Sequence, residues 1–202
     1  AAMHVAKENG RDQIQLWNSA ISQRANHRFE LEADLRQAIA GRQLAVAYQP
    51  IIDMNDGRVI GMEALARWNH PTRGWVSPAE FIPVAEDSGL ILTIGAWVME
   101  QACQQVRQWH AQFGPLFLAV NVSARQFRDP ELVRKVSEIC QRTHFPFDLL
   151  HLEITESTLV NDAEAAALIM RGLVSLGFRL SLDDFGTGYS SLSYLKRFPV
   201  HK

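Results

Sequence analysis

The chain has 202 residues, of which 47% are hydrophobic and 21% charged, with a formal net charge of -2 at pH 7. This composition predicts a globular protein with enough apolar side chains for a core. The charge excludes the basic surface that holds duplex nucleic acid, and no apolar run reaches the roughly 18 residues that would cross a membrane. Cys103 and Cys140 lack CxxC spacing, which favours buried, reduced thiols in a cytoplasmic protein. Tethering to a membrane by regions before residue 1 stays open.

The first 29 residues divide into two predicted segments. Residues 1–13 have the pattern of the last turns of a helix that closes at Asn9-Gly10, where glycine permits a left-handed cap. Residues 14–29 are mixed polar and helical in pattern, and we interpret them as a linker. The main domain is predicted to cover residues 30–202.

From Glu30 the pattern predicts an amphipathic helix that ends at Gly41. Strands follow at 44–52 and 59–65, and the turn at 55–57 joins them into a β-hairpin. Further along, helices alternate with apolar strands. The predicted helices span about 78–87, 91–112, 130–143 and 161–176, and the strands span 116–122, 149–155 and 178–183. This alternation is typical of an α/β fold whose parallel sheet is covered on both faces.

Carboxylate or amide side chains stand where four of these strands end. They are Glu63, Asn121, Glu153 and the adjacent pair Asp183 and Asp184. Ligands bind at that end of the strands in (β/α)8 barrels and open α/β sheets. A lone acid there is commonly a helix cap, and an Asp-Asp pair before glycines also fits a solvated turn. Here four strands each carry such a side chain at the same end. Burying several carboxylates without a compensating charge is costly, so this arrangement favours a binding site.

The predicted donors are all oxygen atoms, and the seven histidines show no metal-binding spacing. Such a donor set favours Mg²⁺ or Mn²⁺ over zinc, with Ca²⁺ as a further option. Five donors could hold two ions about 3.5 to 4 Å apart, the spacing that serves phosphodiester cleavage. Asp183 and Asp184 are well placed to serve one ion each.

Several motifs resemble those of EAL-domain cyclic-di-GMP phosphodiesterases. They are Tyr48-Gln49-Pro50-Ile51, Glu63-Ala64-Leu65-Ala66-Arg67, Phe81-Ile82-Pro83, Asn121-Val122-Ser123, Glu153-Ile154-Thr155-Glu156 and Asp183-Asp184-Phe185-Gly186-Thr187-Gly188-Tyr189-Ser190-Ser191-Leu192. The resemblance covers about residues 30–202 and implies a TIM-like (β/α)8 barrel whose first strand is antiparallel. Residues 1–13 in turn resemble the end of a GGDEF-type diguanylate cyclase domain, which is often fused upstream.

The resemblance also implies roles for individual residues. The metal ligands would be Glu63, Asn121, Glu153 and Asp183, with Asp184 holding the second ion. The catalytic group would be Glu63, Asp183 and Asp184, and the substrate contacts would be Gln49, Leu65 and Arg67. For Arg67 a structural salt bridge is the alternative, since its guanidinium suits a carboxylate and a phosphate equally well.

The family has a lysine in a Lys-Ile-Asp strand beyond the Asp-Asp loop, followed by a glutamate and a glutamine on later strands. This chain reaches only Pro199-Val200-His201-Lys202. We therefore expect an incomplete barrel, since a barrel cannot close without its last strands. As given, such a fragment is expected to be inactive.

Three functions are compatible with these observations. The first is a two-metal phosphodiesterase that opens cyclic-di-GMP to linear pGpG, and the intact ligand set favours it. The second is a cyclic-di-GMP receptor that binds without cleaving. The third is an unrelated carboxylate-rich sugar or phosphate enzyme on a barrel. A homodimer through this domain is an arrangement that the resemblance alone suggests.

Overall fold

The computed structural model describes residues 19–155 and 163–183, without the side chains of residues 19–22, 24, 163 and 183. Residues 1–13, Asp184 and the loop after it therefore lie outside the described residues. The elements are α1 (Ser19–Ala40), β1 (Leu44–Ile52), β2 (Val59–His70), β3 (Gly74–Val76), α2 (Pro78–Ser88), α3 (Ile91–Phe113), β4 (Phe117–Val122), α4 (Ala124–Phe127), α5 (Leu132–Thr143), a 3₁₀ turn (Phe147–Leu149), β5 (Leu150–Thr155), α6 (Ala163–Ser175) and β6 (Arg179–Asp183).

The strands form one sheet in the order β1-β2-β4-β5-β6, with β3 paired to β2. β1 runs antiparallel to β2, while β2, β4, β5 and β6 are mutually parallel. This confirms the predicted hairpin followed by strand-helix repeats. The arrangement is that of a TIM-like α/β barrel with an antiparallel first strand.

Helix α1 begins well before Glu30 and packs on the rest of the fold through one apolar stripe. Leu31, Leu35 and Ala38 on that stripe are buried. The helix ends where Gly41 N donates to Gln37 O at 2.8 Å. None of the helices in the described ranges has the length and apolar character needed to cross a lipid bilayer.

The parallel strands present two chemically different faces. In β5 the even-numbered side chains Leu150, Leu152 and Ile154 are fully buried, as the helices pack on that side. The intervening residues His151, Glu153 and Thr155 are half-buried on the other face. Alternation of side chains along a strand thus places the helix-packed core on one face and the polar residues on the other.

Two features of the core stand out, and the first of them, the burial of both cysteines, confirms a prediction. Cys103 and Cys140 are free thiols buried on α3 and α5. A hydrogen bond with the Cys140 thiol, followed by burial, raises the pKa of Cys103. The ring of Trp68 is fully buried and packs edge-on against Phe81, with centroids 5.8 Å apart. Both features belong to the core and not to the binding face.

Candidate active site

The sheet register places the predicted site residues on one face. Asn121 on β4 is the direct partner of Glu153 on β5, and Gln49 on β1 is the direct partner of Glu63 on β2. Glu63 also pairs with Ala119, two residues before Asn121. Because side chains opposite each other in a sheet, and those two apart in a strand, share a face, these four polar residues point to the same side.

Two of these side chains are in direct contact. Asn121 Nδ2 donates to Glu63 Oε1 at 2.8 Å, which links the interior of β2 to the end of β4. Glu63 and Glu153 are half-buried, and Asn121 is exposed. An amide that donates a hydrogen bond through its nitrogen still has a free carbonyl oxygen. Asn121 can therefore orient Glu63 and act as an oxygen ligand at the same time.

The neighbouring strand β6 brings the backbone of Asp183 to the same rim. Asp183 pairs with Thr155, two residues beyond Glu153. Asp184 lies outside the described residues. Across residues 19–155 and 163–183, no three acidic, cysteine or histidine side chains are grouped so as to hold a metal by themselves. The described donors are therefore two carboxylates and one amide, and this all-oxygen set fits a hard divalent cation.

A pocket of about 390 Å³ opens beside these donors, and Arg67, Asn121 and Glu153 lie in its wall. Apolar side chains from α2 and α3 form a further wall of the same pocket. They are Ile82, Ile91, Ile94 and Val98. The volume lies within the range of roughly 300 to 1,000 Å³ that is typical of small-molecule sites. One wall can thus bind charged groups while the other contacts an apolar or aromatic part of a ligand.

The predicted substrate residues on β2 lie in this pocket. Leu65 and Arg67 line it, whereas Gln49 is exposed on β1 beside Glu63. Arg67 Nη1 donates to the carbonyl oxygen of Ala66 at 2.9 Å. Among the residues that the structure describes, Arg67 forms no ion pair, so its predicted structural salt bridge finds no support there. Its other donors can serve an anion in the pocket.

Three further polar residues in the pocket wall were not predicted. Burial, followed by the nearby charge of Asp87, raises the pKa of the Glu86 carboxyl. Ser123 and Gln126 form a capping box at the start of α4. A serine followed three residues later by glutamine is a sequence signature of a helix start, and it would have identified this turn. No comparable local signal marks Glu86, because its burial arises from tertiary packing.

The chain has clear relatives among known proteins. The family model described as "EAL domain" matches residues 32–202. The chain is 45% identical over 204 residues to the bifunctional diguanylate cyclase/cyclic di-GMP phosphodiesterase MucR of Pseudomonas aeruginosa, covering 99% of this chain and 29% of that protein. It is 41% identical over 199 residues to the cyclic di-GMP phosphodiesterase PdeR of Escherichia coli, covering 98% of this chain and 30% of that protein.

The fold agrees with solved structures as well. A structure of the PaMucR phosphodiesterase in complex with c-di-GMP superposes with a TM-score of 0.82 and 46% identity, covering 86% of this chain and 70% of the other. The chain spans less than a third of the length of the two curated relatives. Their names describe proteins that are much longer than the matched part.

Proposed function

The chain belongs to the EAL-domain family, and from this premise we propose that the full-length natural protein hydrolyses cyclic-di-GMP to linear pGpG with two divalent cations. The observation that carries the proposal is the contact between Asn121 and Glu63 at 2.8 Å, next to Glu153 and a pocket lined by Arg67. The names of MucR and PdeR support the reaction, and the PaMucR complex supports the ligand.

The proposed ligands of the cations are Glu63, Asn121, Glu153, Asp183 and Asp184. Mg²⁺ or Mn²⁺ suits such oxygen donors. When bound, the two ions would lower the pKa of a water molecule and stabilise the leaving oxygen. The catalytic group is proposed to be Glu63, Asp183 and Asp184.

The remaining residues of the site have binding and orienting roles in this proposal. Arg67 holds a phosphate of the substrate, because its planar fork can donate two hydrogen bonds to one phosphate group. Leu65 and Gln49 contact the substrate beside it. The apolar wall formed by α2 and α3 offers an apolar contact to the rest of the ligand.

The test is an assay of the full-length natural protein with cyclic-di-GMP and Mn²⁺, with pGpG measured by chromatography. We expect pGpG to form only when a divalent cation is present. Glu63→Gln should lower its rate by about 100-fold or more, because loss of a group that only orients a metal ligand already costs about 10- to 100-fold. Glu32→Gln on α1, which removes an ion pair with Arg36, is the matched control and should leave the rate unchanged.

Two results would contradict parts of the proposal. Unchanged turnover in Glu63→Gln would remove Glu63 from the metal site. Binding of cyclic-di-GMP without any pGpG would instead support the alternative of a receptor that does not cleave.

A further inference from the structure

We propose that Gln126 is a positioning residue that holds the Asn121 amide against Glu63, and that Gly95 is glycine because Gln126 needs the space. The proposal rests on the proposed metal-dependent function. Neither residue carries a metal or substrate role in the site described above. Both lie in the pocket wall, on α4 and α3 respectively.

Gln126 is held firmly although it lies on a helix of one turn. Its side chain is 6% exposed. Its Oε1 accepts hydrogen bonds from Ser123 N at 3.2 Å and from Ser123 Oγ at 2.9 Å. In return, Gln126 N donates to Ser123 Oγ at 3.3 Å. Reciprocal bonds of this kind fix the backbone at the entry to a helix.

The turn that Gln126 fixes is the one that follows Asn121. Pairing between β2 and β4 ends at Ala64 and Val120, so Asn121 extends one residue past that ladder. The position of Asn121 in its contact with Glu63 therefore depends on the direction in which the chain leaves β4. Ser123, two residues later, sets that direction through its bonds to Gln126.

Packing against helix α3 leaves little space around the Gln126 side chain. A β-carbon at Gly95 would lie 2.1 Å from Gln126 Nε2 and 2.7 Å from its Cδ, well inside van der Waals contact. Glycine in the middle of a helix lowers helix stability relative to alanine. The close approach of the Gln126 amide is a packing reason for glycine at this position.

A third contact holds α4 from the side of α2. Arg125 Nη1 donates to Glu86 O at 2.6 Å and to Asp87 O at 3.0 Å. The short helix is therefore tied to β4 through Ser123, to the end of α2 through Arg125, and packed on α3 at Gly95. These ties make α4 a rigid support for the Asn121 side of the rim.

The test is a double-mutant cycle on Mn²⁺ affinity, measured by calorimetry on the metal-free, full-length natural protein. Gln126→Ala removes the side chain, and Gly95→Ala displaces it. Each is expected to weaken Mn²⁺ binding by about tenfold or more, as loss of groups that orient metal ligands does. The double variant should be no weaker than either single variant, because the new methyl group then meets no Gln126 amide.

The control is Gly172→Ala on α6, where a β-carbon would lie 3.3 Å from a Val133 methyl group and would not meet Gln126. It tests the general effect of alanine for glycine in a helix and should leave Mn²⁺ affinity unchanged. A merely structural role for Gln126 would lower the melting temperature without changing Mn²⁺ affinity. If Gly95→Ala does not fold, Gln126→Ala alone decides the question.

Unchanged Mn²⁺ affinity in Gln126→Ala would overturn the proposal. Additive losses of affinity in the double variant would also overturn it, as would a natural protein that binds no Mn²⁺. If the natural protein binds Mn²⁺ but forms no pGpG, the proposed function fails. The calorimetric cycle still decides the role of Gln126 in that case.

Discussion

Asn121 has a neutral side chain among carboxylates, and its chemistry explains why an amide suits that position. Its Nδ2 donates to Glu63 Oε1 at 2.8 Å, a distance at which a second carboxylate would repel the first unless a cation lay between them. An amide therefore orients Glu63 whether or not a cation is bound. The rim can keep its geometry before metal binding, which lowers the cost of assembling the site.

A prediction at the scale of single residues concerns Arg67. Arg67→Lys keeps the positive charge but loses the planar fork, so we expect kcat/KM for cyclic-di-GMP to fall by about tenfold or more, as lost charge-assisted hydrogen bonds do. Steady-state kinetics over a range of substrate concentrations measures the change. Arg36→Lys is the matched control, because Arg36 is exposed and pairs with Glu32, and exposed ion pairs contribute little to stability. Equal kcat/KM in Arg67→Lys and the natural protein would contradict a phosphate contact through the fork.

At the scale of elements, two kinds of contact attach α1 to the barrel, and their magnitudes differ. One is the buried stripe that contains Leu35, which is fully buried. The other is a set of partly exposed ion pairs, including Arg73 with Glu30 at 3.3 Å and with Asp34 at 3.4 Å. Exposed pairs contribute about 0 to 1 kcal/mol, whereas a Leu→Ala change in a core costs about 2 to 5 kcal/mol.

We therefore expect Leu35→Ala to lower the free energy of unfolding several times more than Arg73→Ala does. Urea denaturation followed by circular dichroism measures both values, and the effect of Arg73→Ala should shrink further as salt screens the ion pairs. A loss in Arg73→Ala as large as that in Leu35→Ala would mean that the ionic network, and not the apolar stripe, holds the helix.

The elements also show what the sequence can predict. From residue 78 onward the predicted strands and long helices agree with the observed bounds to within two residues, because apolar periodicity and flanking turn residues carry that information locally. Strand β3 and helix α4 were missed, since elements of three and four residues are too short to show a period. The extension of β2 to His70 was also missed, because it depends on pairing with β3.

At the scale of the whole molecule, the sequence predicts which polar residues follow the strands but not which side chains contact each other. Glu63, Asn121 and Glu153 were selected because each follows an apolar run, and parallel strands end at one rim. The structure places Asn121 and Glu153 near the ends of their strands but Glu63 inside the longer β2. The hydrogen bond between Asn121 and Glu63, the pocket wall from α2 and α3, and the burial of Glu86 all depend on how distant segments pack. The GGDEF-like tail at residues 1–13, the roles of all the site residues and a homodimer stay predictions.

Cation binding at the rim should stabilise the whole molecule, because a ligand that binds only the folded state shifts the folding equilibrium. Mn²⁺ at about 100 times its Kd should add about 2.7 kcal/mol to the free energy of unfolding. For a domain of about 150 to 250 residues this corresponds to a rise in Tm of roughly 5 to 10 °C. Differential scanning calorimetry with and without a chelator measures the shift, with sodium chloride at equal ionic strength as the screening control. Glu63→Gln should abolish most of the rise and Glu32→Gln should keep it, whereas an equal rise in both variants would place the stabilising ion away from the strand ends.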